Sequence, residues 1–475
     1  MEIKKYGKLK ENLIGDGAFY RRVITIVLPI IVQNTITNVV SLLDNVMVGR
    51  VGTLEMSAVA IVNQLLFVFY LCIFGGLSGA GIFATQFAGA ADNNGVRHCF
   101  RIKLIIASAM LIVAGIVFLT FPEQLISLYL AADTEPAAAA ATVSYAGEYL
   151  KIMLIGLLPF AITQVYSSTL RELGETKLPM LSSIAAILVN LVFNYSLIFG
   201  TFGFPRLGVA GAAIATVMSR FVELIIIILA THLKKKAFPF ISGVYKSLHI
   251  PRALCLDVFK KGMPLLVNEF LWSAGMATLL QCYSVRGLQV VAATNIASTV
   301  SNLFNVVFIS MGSAVAIMVG QYLGANEVER AKQTVWRLLA LTVASCVVIG
   351  GIMAALSPLI PHIYNTEAEV KAMATQFLII VALTMPIFAF AHDCYFTLRS
   401  GGKTGLTFVF DSAFTWGVCV PTAFILANYT AMPIVPLYLC VQLTELFKCI
   451  VGFILLKKGI WINNIIEKAG GKNEA

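Results

Sequence analysis

Apolar residues run along this chain in long blocks rather than in the alternating or one-faced patterns of soluble elements. Twelve blocks reach about 20 residues or more, the length a helix rising 1.5 Å per residue needs to cross a hydrocarbon core. They cover residues 22–48, 57–87, 101–121, 142–170, 178–200, 210–232, 258–285, 291–322, 333–357, 372–399, 404–427 and 433–456, separated by charged or Gly/Pro-rich breaks. The blocks form two matching sets. At an offset of 235 positions Pro29 meets Pro264, Gly52 meets Gly287, Ala58 meets Ala293, Phe69 meets Phe304, and QFAGA from Gln86 meets QYLGA from Gln321. A duplicated chain of this kind predicts an all-α polytopic membrane protein with two pseudo-twofold-related bundles of six transmembrane helices. The boundaries that follow are a cytoplasmic segment 1–21, an N-lobe 22–232, a cytoplasmic connector 233–257, a C-lobe 258–456 and a cytoplasmic tail 457–475. Between two such lobes a cleft can open to either side, as a carrier requires.

Composition agrees with the pattern, since 59% of residues are hydrophobic, 12% are charged and the mean hydropathy is +0.86. Charge placement adds orientation, because Lys and Arg accumulate in loops that stay cytoplasmic. Lys4, Lys5, Lys8, Lys10, Arg21, Arg22, Arg97, Arg101, Lys103, Lys234, Arg330, Lys332, Arg399, Lys403, Lys457 and Lys458 fall on one side, against Arg50, Arg206, Arg286 and Lys371 on the other. Both termini are therefore expected in the cytoplasm of a cell whose plasma (inner) membrane the chain spans. The net charge of +10 reads as topology and contact with anionic lipid, with no call for nucleic acid. The basic N-terminus leads into an apolar block too long for a signal-peptide core, so the first block is expected to remain as an anchor. The connector, with Phe238, Pro239, Phe240 and Pro251, is expected to lie along the cytoplasmic surface as a tether. Nine cysteines are scattered without a CxxC pair, and the five histidines are dispersed, which leaves no metal or nucleophile constellation and argues against an enzyme.

Four prolines lie inside predicted helices at repeat-related places: Pro29 in the first, Pro159 in the fourth, Pro264 in the seventh and Pro386 in the tenth. Each frees a backbone carbonyl, so packing kinks and gating hinges are both open readings. Ionisable groups at membrane depth are the site candidates, because each costs several kcal/mol unless hydrated or paired. Asp44 follows Arg22 by 22 residues, which places it in the outer half of the first span. Asn190 and Asn194 are one turn apart at similar depth in the fifth, and Thr216 enters the same layer from the sixth. One carboxylate and three neutral oxygens suit a hard cation such as Na⁺, or a proton on the carboxylate; interhelical hydrogen bonding alone is the plainer alternative. A second, inner layer contains Glu269, His392, Asp393 and Asp411, a possible site for protons or a cationic substrate unless Asp393 snorkels to the interface. Arg220 with Glu223, and Glu445 with Lys448, have the spacing of intrahelical ion pairs.

VGRVGTLEMSAVA after Asp44, QFAGA and QYLGA closing the second and eighth spans, and LRELGETKLP and LRSGGKTGL after the fourth and tenth give the chain its resemblance. It resembles the multidrug and toxic compound extrusion (MATE) antiporters over nearly its whole length. The resemblance implies export of organic, cationic compounds in exchange for Na⁺ or H⁺ by alternating access, with no cofactor beyond that coupling ion. Asp44 matches the family's coupling Asp, and Asn190 matches an Asn of the same site. Asn194 stands where the family has an acid, while Thr216 in GAAIAT and Tyr149 match polar positions around it. Some relatives couple through a Glu in the seventh helix and an Asp in the tenth; Glu269 lies earlier than that Glu and Asp393 closer to LRSGG than that Asp, so both stand as local acids. The expected partners are a small organic substrate and the bilayer, with the chain as a monomer. A flippase for a lipid-linked precursor is the alternative on the same architecture, but its anionic headgroup calls for a cleft rich in Arg and Lys.

Overall fold

A computed structural model describes residues 13–130, 135–247, 249–364 and 366–470. Lys4, Lys5, Lys8, Lys10 and the end of the C-terminal tail lie outside them. Among the described residues, twelve helices are long and apolar enough to span a membrane. They are α1 (Gly17–Gly49), α2 (Thr53–Gly89), α3 (Asn93–Thr120), α4 (Pro136–Glu172), α5 (Lys177–Phe199), α6 (Gly208–Leu233), α7 (Arg252–Ser284), α8 (Leu288–Gly324), α9 (Val328–Leu356), α10 (Ala368–Ser400), α11 (Thr404–Tyr429) and α12 (Ile434–Lys457). No strand occurs among the described residues. Most of these helices outrun their apolar blocks by several residues, because the polar flanks continue the backbone ladder rather than breaking it.

The chain divides into two compact units. Unit 1 comprises the chain up to Ile31, Thr85–Asp92 and the chain from Leu256 onward; unit 2 comprises Val32–Ala84 and Asn93–Cys255. The first half of α1 belongs to unit 1 because its apolar face is buried there: Phe19, Val23, Ile26, Val27 and Ile30 join a core with Met311, Val315, Leu338 and Leu398. The division falls two residues past Pro29, where α1 lacks an amide donor. Pro159, Pro264 and Pro386 likewise lie within unbroken helices α4, α7 and α10.

In unit 1, α10 packs along α8 and α9, and the end of α2 crosses the end of α8. The crossing explains the glycines of the repeated motif. A Cβ on Gly89 would strike the Gln321 carbonyl, and one on Gly324 would strike the Gln86 carbonyl, so backbone meets backbone twice at repeat-related positions. The segment after α12 is fixed to the same place. Gln86, fully buried, donates from Nε2 to the Ser400 and Asn463 carbonyls at 3.1 Å each and accepts from the Ile465 amide at 2.9 Å. Asn463 donates to the Gly401 carbonyl, and Trp461 is buried beside it.

In unit 2, α6 packs against α4 and α5, and α3 against α4. The connector is held to the rest of unit 2 through its backbone. Phe240 and Val244 are buried, and two α3 arginines grip its backbone: Arg97 Nε donates to the Phe240 carbonyl at 3.0 Å, and Arg101 donates to the carbonyls of Val244, Gly243 and His249. Arg101 and Lys103, read from sequence as loop charges, are thus interior. Lys103 is fully buried and pairs with Glu172 at 2.6 Å.

Two helices depart from α geometry. In α11, Val409–Ala413 and Thr415–Cys419 form consecutive π-helical turns, an arrangement common at functional sites. In α12 the regular helix stops at Leu443 and restarts at Glu445.

Candidate functional sites

The site in unit 2 is built on α1, α5 and α6. Asn190 and Asn194 share one face of α5 because four residues bring the helix round by about one turn. Asn194 Nδ2 donates to Asp44 Oδ1 at 2.7 Å and to Asn190 Oδ1 at 3.1 Å. Asn190 Nδ2 lies 3.3 Å from Thr216 Oγ1. Asp44, Asn190, Asn194 and Thr216 therefore form one continuous polar chain on three helices. The surroundings of the Asn190 amide assign its nitrogen to the Asp44 side. So turned, its nitrogen donates to both Asp44 carboxylate oxygens at 3.3 Å, while the Thr216 hydroxyl can serve either end of the amide. Asn194 Oδ1 is buried without a hydrogen-bond partner and offers a further oxygen. These donors suit a hard, oxygen-seeking cation.

Tyr149 is buried nearby but directs its hydroxyl to Asn63 Oδ1, 3.5 Å away. Arg220 does not form the close intrahelical ion pair with Glu223 that its spacing suggests. Its Nη2 donates to the Tyr70 hydroxyl, and its guanidinium lies 5.0 Å from the Tyr70 ring centre and 4.9 Å from that of Phe160. Stacking on two rings outcompetes a one-turn ion pair here. Glu223 meets the Ser183 hydroxyl and the charges of both Arg220 and Arg171.

In unit 1, α7, α10, α11 and α12 converge on a larger network. Lys448 Nζ lies 2.8 Å from Asp411 Oδ1 and 3.6 Å from Glu445 Oε2. Asp411 Oδ2 accepts from Asn268 Nδ2 at 3.0 Å, and that amide also reaches the Tyr395 hydroxyl at 3.3 Å. Ser412 completes the join, with its hydroxyl 2.7 Å from Asn268 Oδ1 and its backbone amide 3.3 Å from the same atom. An amide of α11 that bonds to a side chain of α7 is what the widened π turn permits. Glu269 is held more loosely, 3.4 Å from the Tyr395 hydroxyl and 4.0 Å from Arg399 Nη1.

The structure brings Glu269 and Asp411 into one network, with His392 beside it and Asp393 turned elsewhere. His392 packs edge-on to Phe308 and Phe396 with its Nε2 unbonded. Asp393 neither snorkels nor faces the network: successive helix residues diverge by about 100°, and it is buried beside Thr342 of α9 with neither carboxylate oxygen in a hydrogen bond of normal geometry. Sequence reasoning missed Asn268, Tyr395 and Arg399. Arg399, expected at the cytoplasmic end of the tenth block, lies at the end of α10 with 7% of its surface exposed. Asn268, adjacent to Glu269, was visible as a polar pair in an apolar block.

Comparison with known proteins agrees with this architecture. The MatE family model matches residues 29–196 and again 264–425, two segments whose starts are the repeat-related Pro29 and Pro264. The chain is 26% identical over 422 residues to the probable multidrug resistance protein YoeA of Bacillus subtilis, covering 87% of this chain and 88% of that one. It is 23% identical over 444 residues to the probable multidrug resistance protein NorM of Thermotoga maritima, covering 93% of each. Among solved structures, the MATE transporter VcmN of Vibrio cholerae superposes with a TM-score of 0.83 at 17% identity, over 94% of this chain and 98% of that one. A multidrug resistance MATE transporter of the MOP superfamily in an outward-facing conformation gives 0.82 at 19% identity, over 95% and 97%. With its family model matched in both halves and its twelve helices following the fold of solved members, the chain belongs to the MATE family.

Proposed function

We propose that this protein is a secondary active efflux transporter that exports organic, cationic compounds in exchange for Na⁺ or H⁺ by alternating access. It does so as a monomer in the plasma membrane, with both termini cytoplasmic. The observation that carries this reading is the polar chain Asp44–Asn194–Asn190–Thr216, with its unbonded Asn194 oxygen. A cation bound there neutralises Asp44, and its loss restores the charge. The helix that carries Asp44 also carries Pro29, about four turns away, and passes from one unit into the other just beyond that proline. Occupancy of the site therefore acts on a helix common to both units. Only a difference in cation affinity between two states of the carrier can drive transport.

The test is transport by purified protein in proteoliposomes loaded with a fluorescent organic cation and given a Na⁺ gradient or a pH gradient separately. Movement under one gradient, lost in Asp44→Asn, identifies the coupling ion. Normal efflux by a folded Asp44→Asn protein rejects the reading. A flippase for lipid-linked precursors gains no support from the unit 1 network, where three carboxylates outnumber two basic groups and an anionic headgroup finds the wrong sign.

A further inference from the structure

The Lys448 ammonium lies in a complete cation cage. Two carboxylates face it, Asp411 at 2.8 Å and Glu445 at 3.6 Å, and two aromatic rings flank it, Phe410 at 5.6 Å and Phe414 at 5.9 Å from their centres. Carboxylates with aromatic faces within about 6 Å are how proteins recognise an ammonium group of a ligand. In this chain the occupant is the protein's own side chain.

We propose that Lys448 is a specificity-determining residue: a tethered counter-cation that fills this cage and leaves the network a single negative charge to meet the positive charge of a cargo. The inference rests on the reading of the chain as an exporter of organic cations and adds to it a rule for cargo charge. The count is direct. Glu269, Asp411 and Glu445 contribute three negative charges, and Arg399 and Lys448 contribute two positive ones. His392, with Nε2 lacking any acceptor, adds no fixed charge, since an unpaired buried cation is too costly. One negative charge remains, the complement of a monocation. It falls on Asp411 and Glu445, which share the single Lys448, while Glu269 faces Arg399 at 4.0 Å. The network is also reachable, with 14% of the Glu269 side chain and 15% of the Asp411 side chain exposed.

The experiment measures binding of ethidium, a monocation, and propidium, a dication on the same aromatic frame, to purified protein in detergent with no gradient. The wild type is expected to prefer ethidium. Lys448→Met, which opens the cage and adds one uncompensated negative charge, shifts the propidium-to-ethidium affinity ratio toward propidium by about tenfold. Glu445→Gln, which keeps Lys448 and removes one acid, shifts it the other way. The double variant Glu445→Gln/Lys448→Met restores the count and returns the ratio to within about twofold of wild type. A purely structural role for Lys448 alters folding or both affinities together and leaves the ratio unmoved. Should Lys448→Met fail to fold, an unchanged ratio in Glu445→Gln alone overturns the inference. An unchanged ratio across all variants, with Asp44-dependent efflux intact, overturns this inference and spares the proposed function. Wild type that binds neither dye overturns both.

Discussion

The polar site of unit 2 and the polar network of unit 1 occupy the two halves of a duplicated chain, yet they handle charge in opposite ways. Unit 2 sets one carboxylate, Asp44, among neutral amides and a hydroxyl. Unit 1 sets three carboxylates among two cations, a tyrosine and an asparagine. A lone carboxylate with neutral partners changes its net charge whenever a cation arrives or leaves. A braced network keeps its charge fixed. Duplication supplied the scaffold twice; the difference shows that a reversible site and a permanent one can be made from the same helices by choosing which polar groups have partners of opposite sign.

The comparison breaks most visibly under substitutions that remove a partner. Lys448→Ala leaves Asp411 and Glu445 buried without their cation and is expected to cost about 3–5 kcal/mol, read as reduced unfolding stability in detergent. Asp44→Asn, in contrast, should change that stability by less than about 1 kcal/mol, because an amide can still bond to Asn194. Equal losses at the two places would show that both are structural. Asn268→Leu strips partners from Asp411, Ser412 and Tyr395 together and is expected to cost about 2–3 kcal/mol by the same measurement. Asn194→Asp sharpens the contrast by giving unit 2 a second carboxylate. Coupling-ion affinity, measured by calorimetry, should rise about tenfold as like charges crowd an oxygen site that only a cation relieves. The smallest effect is expected from Thr216→Val, which removes one neutral hydrogen bond to Asn190 and costs about 1 kcal/mol in stability or ion affinity.

The fold was legible because twelve apolar blocks and an exact offset of repeated residues leave few alternatives. The grouping of Asp44, Asn190, Asn194 and Thr216 was legible for a different reason: counting depth along three helices from their charged ends placed all four at one level. The same count failed to separate His392 from Asp393, since depth carries no information about which face of α10 a residue takes. Charge placement set Arg399 and Lys103 on the cytoplasmic side without showing that both turn inward. A long basic side chain near a helix end can curl inward when an acid waits there, as Glu269 and Glu172 do. The π turns of α11 left no trace in the sequence, because an extra residue in a turn alters neither composition nor block length, yet they let Ser412 reach Asn268. The grip on the connector left no pairing signal, since Arg97 and Arg101 bond to backbone carbonyls and any sequence can offer those.

Gln86 gives the molecule a dependence on time. Its side chain lies near the end of the second helix to be made, yet one of its hydrogen bonds comes from Ile465, 379 residues later. At roughly 5–20 residues per second, a ribosome needs on the order of 20–75 s to deliver that partner. Until then a carboxamide destined for a dry interior must stay wet or borrow a substitute, so α2 can enter the membrane early but cannot settle until the last turns of the chain have emerged. A fusion or truncation that disturbs Trp461–Ile465 would accordingly be felt at the opposite end of the sequence, as a first half left waiting to finish.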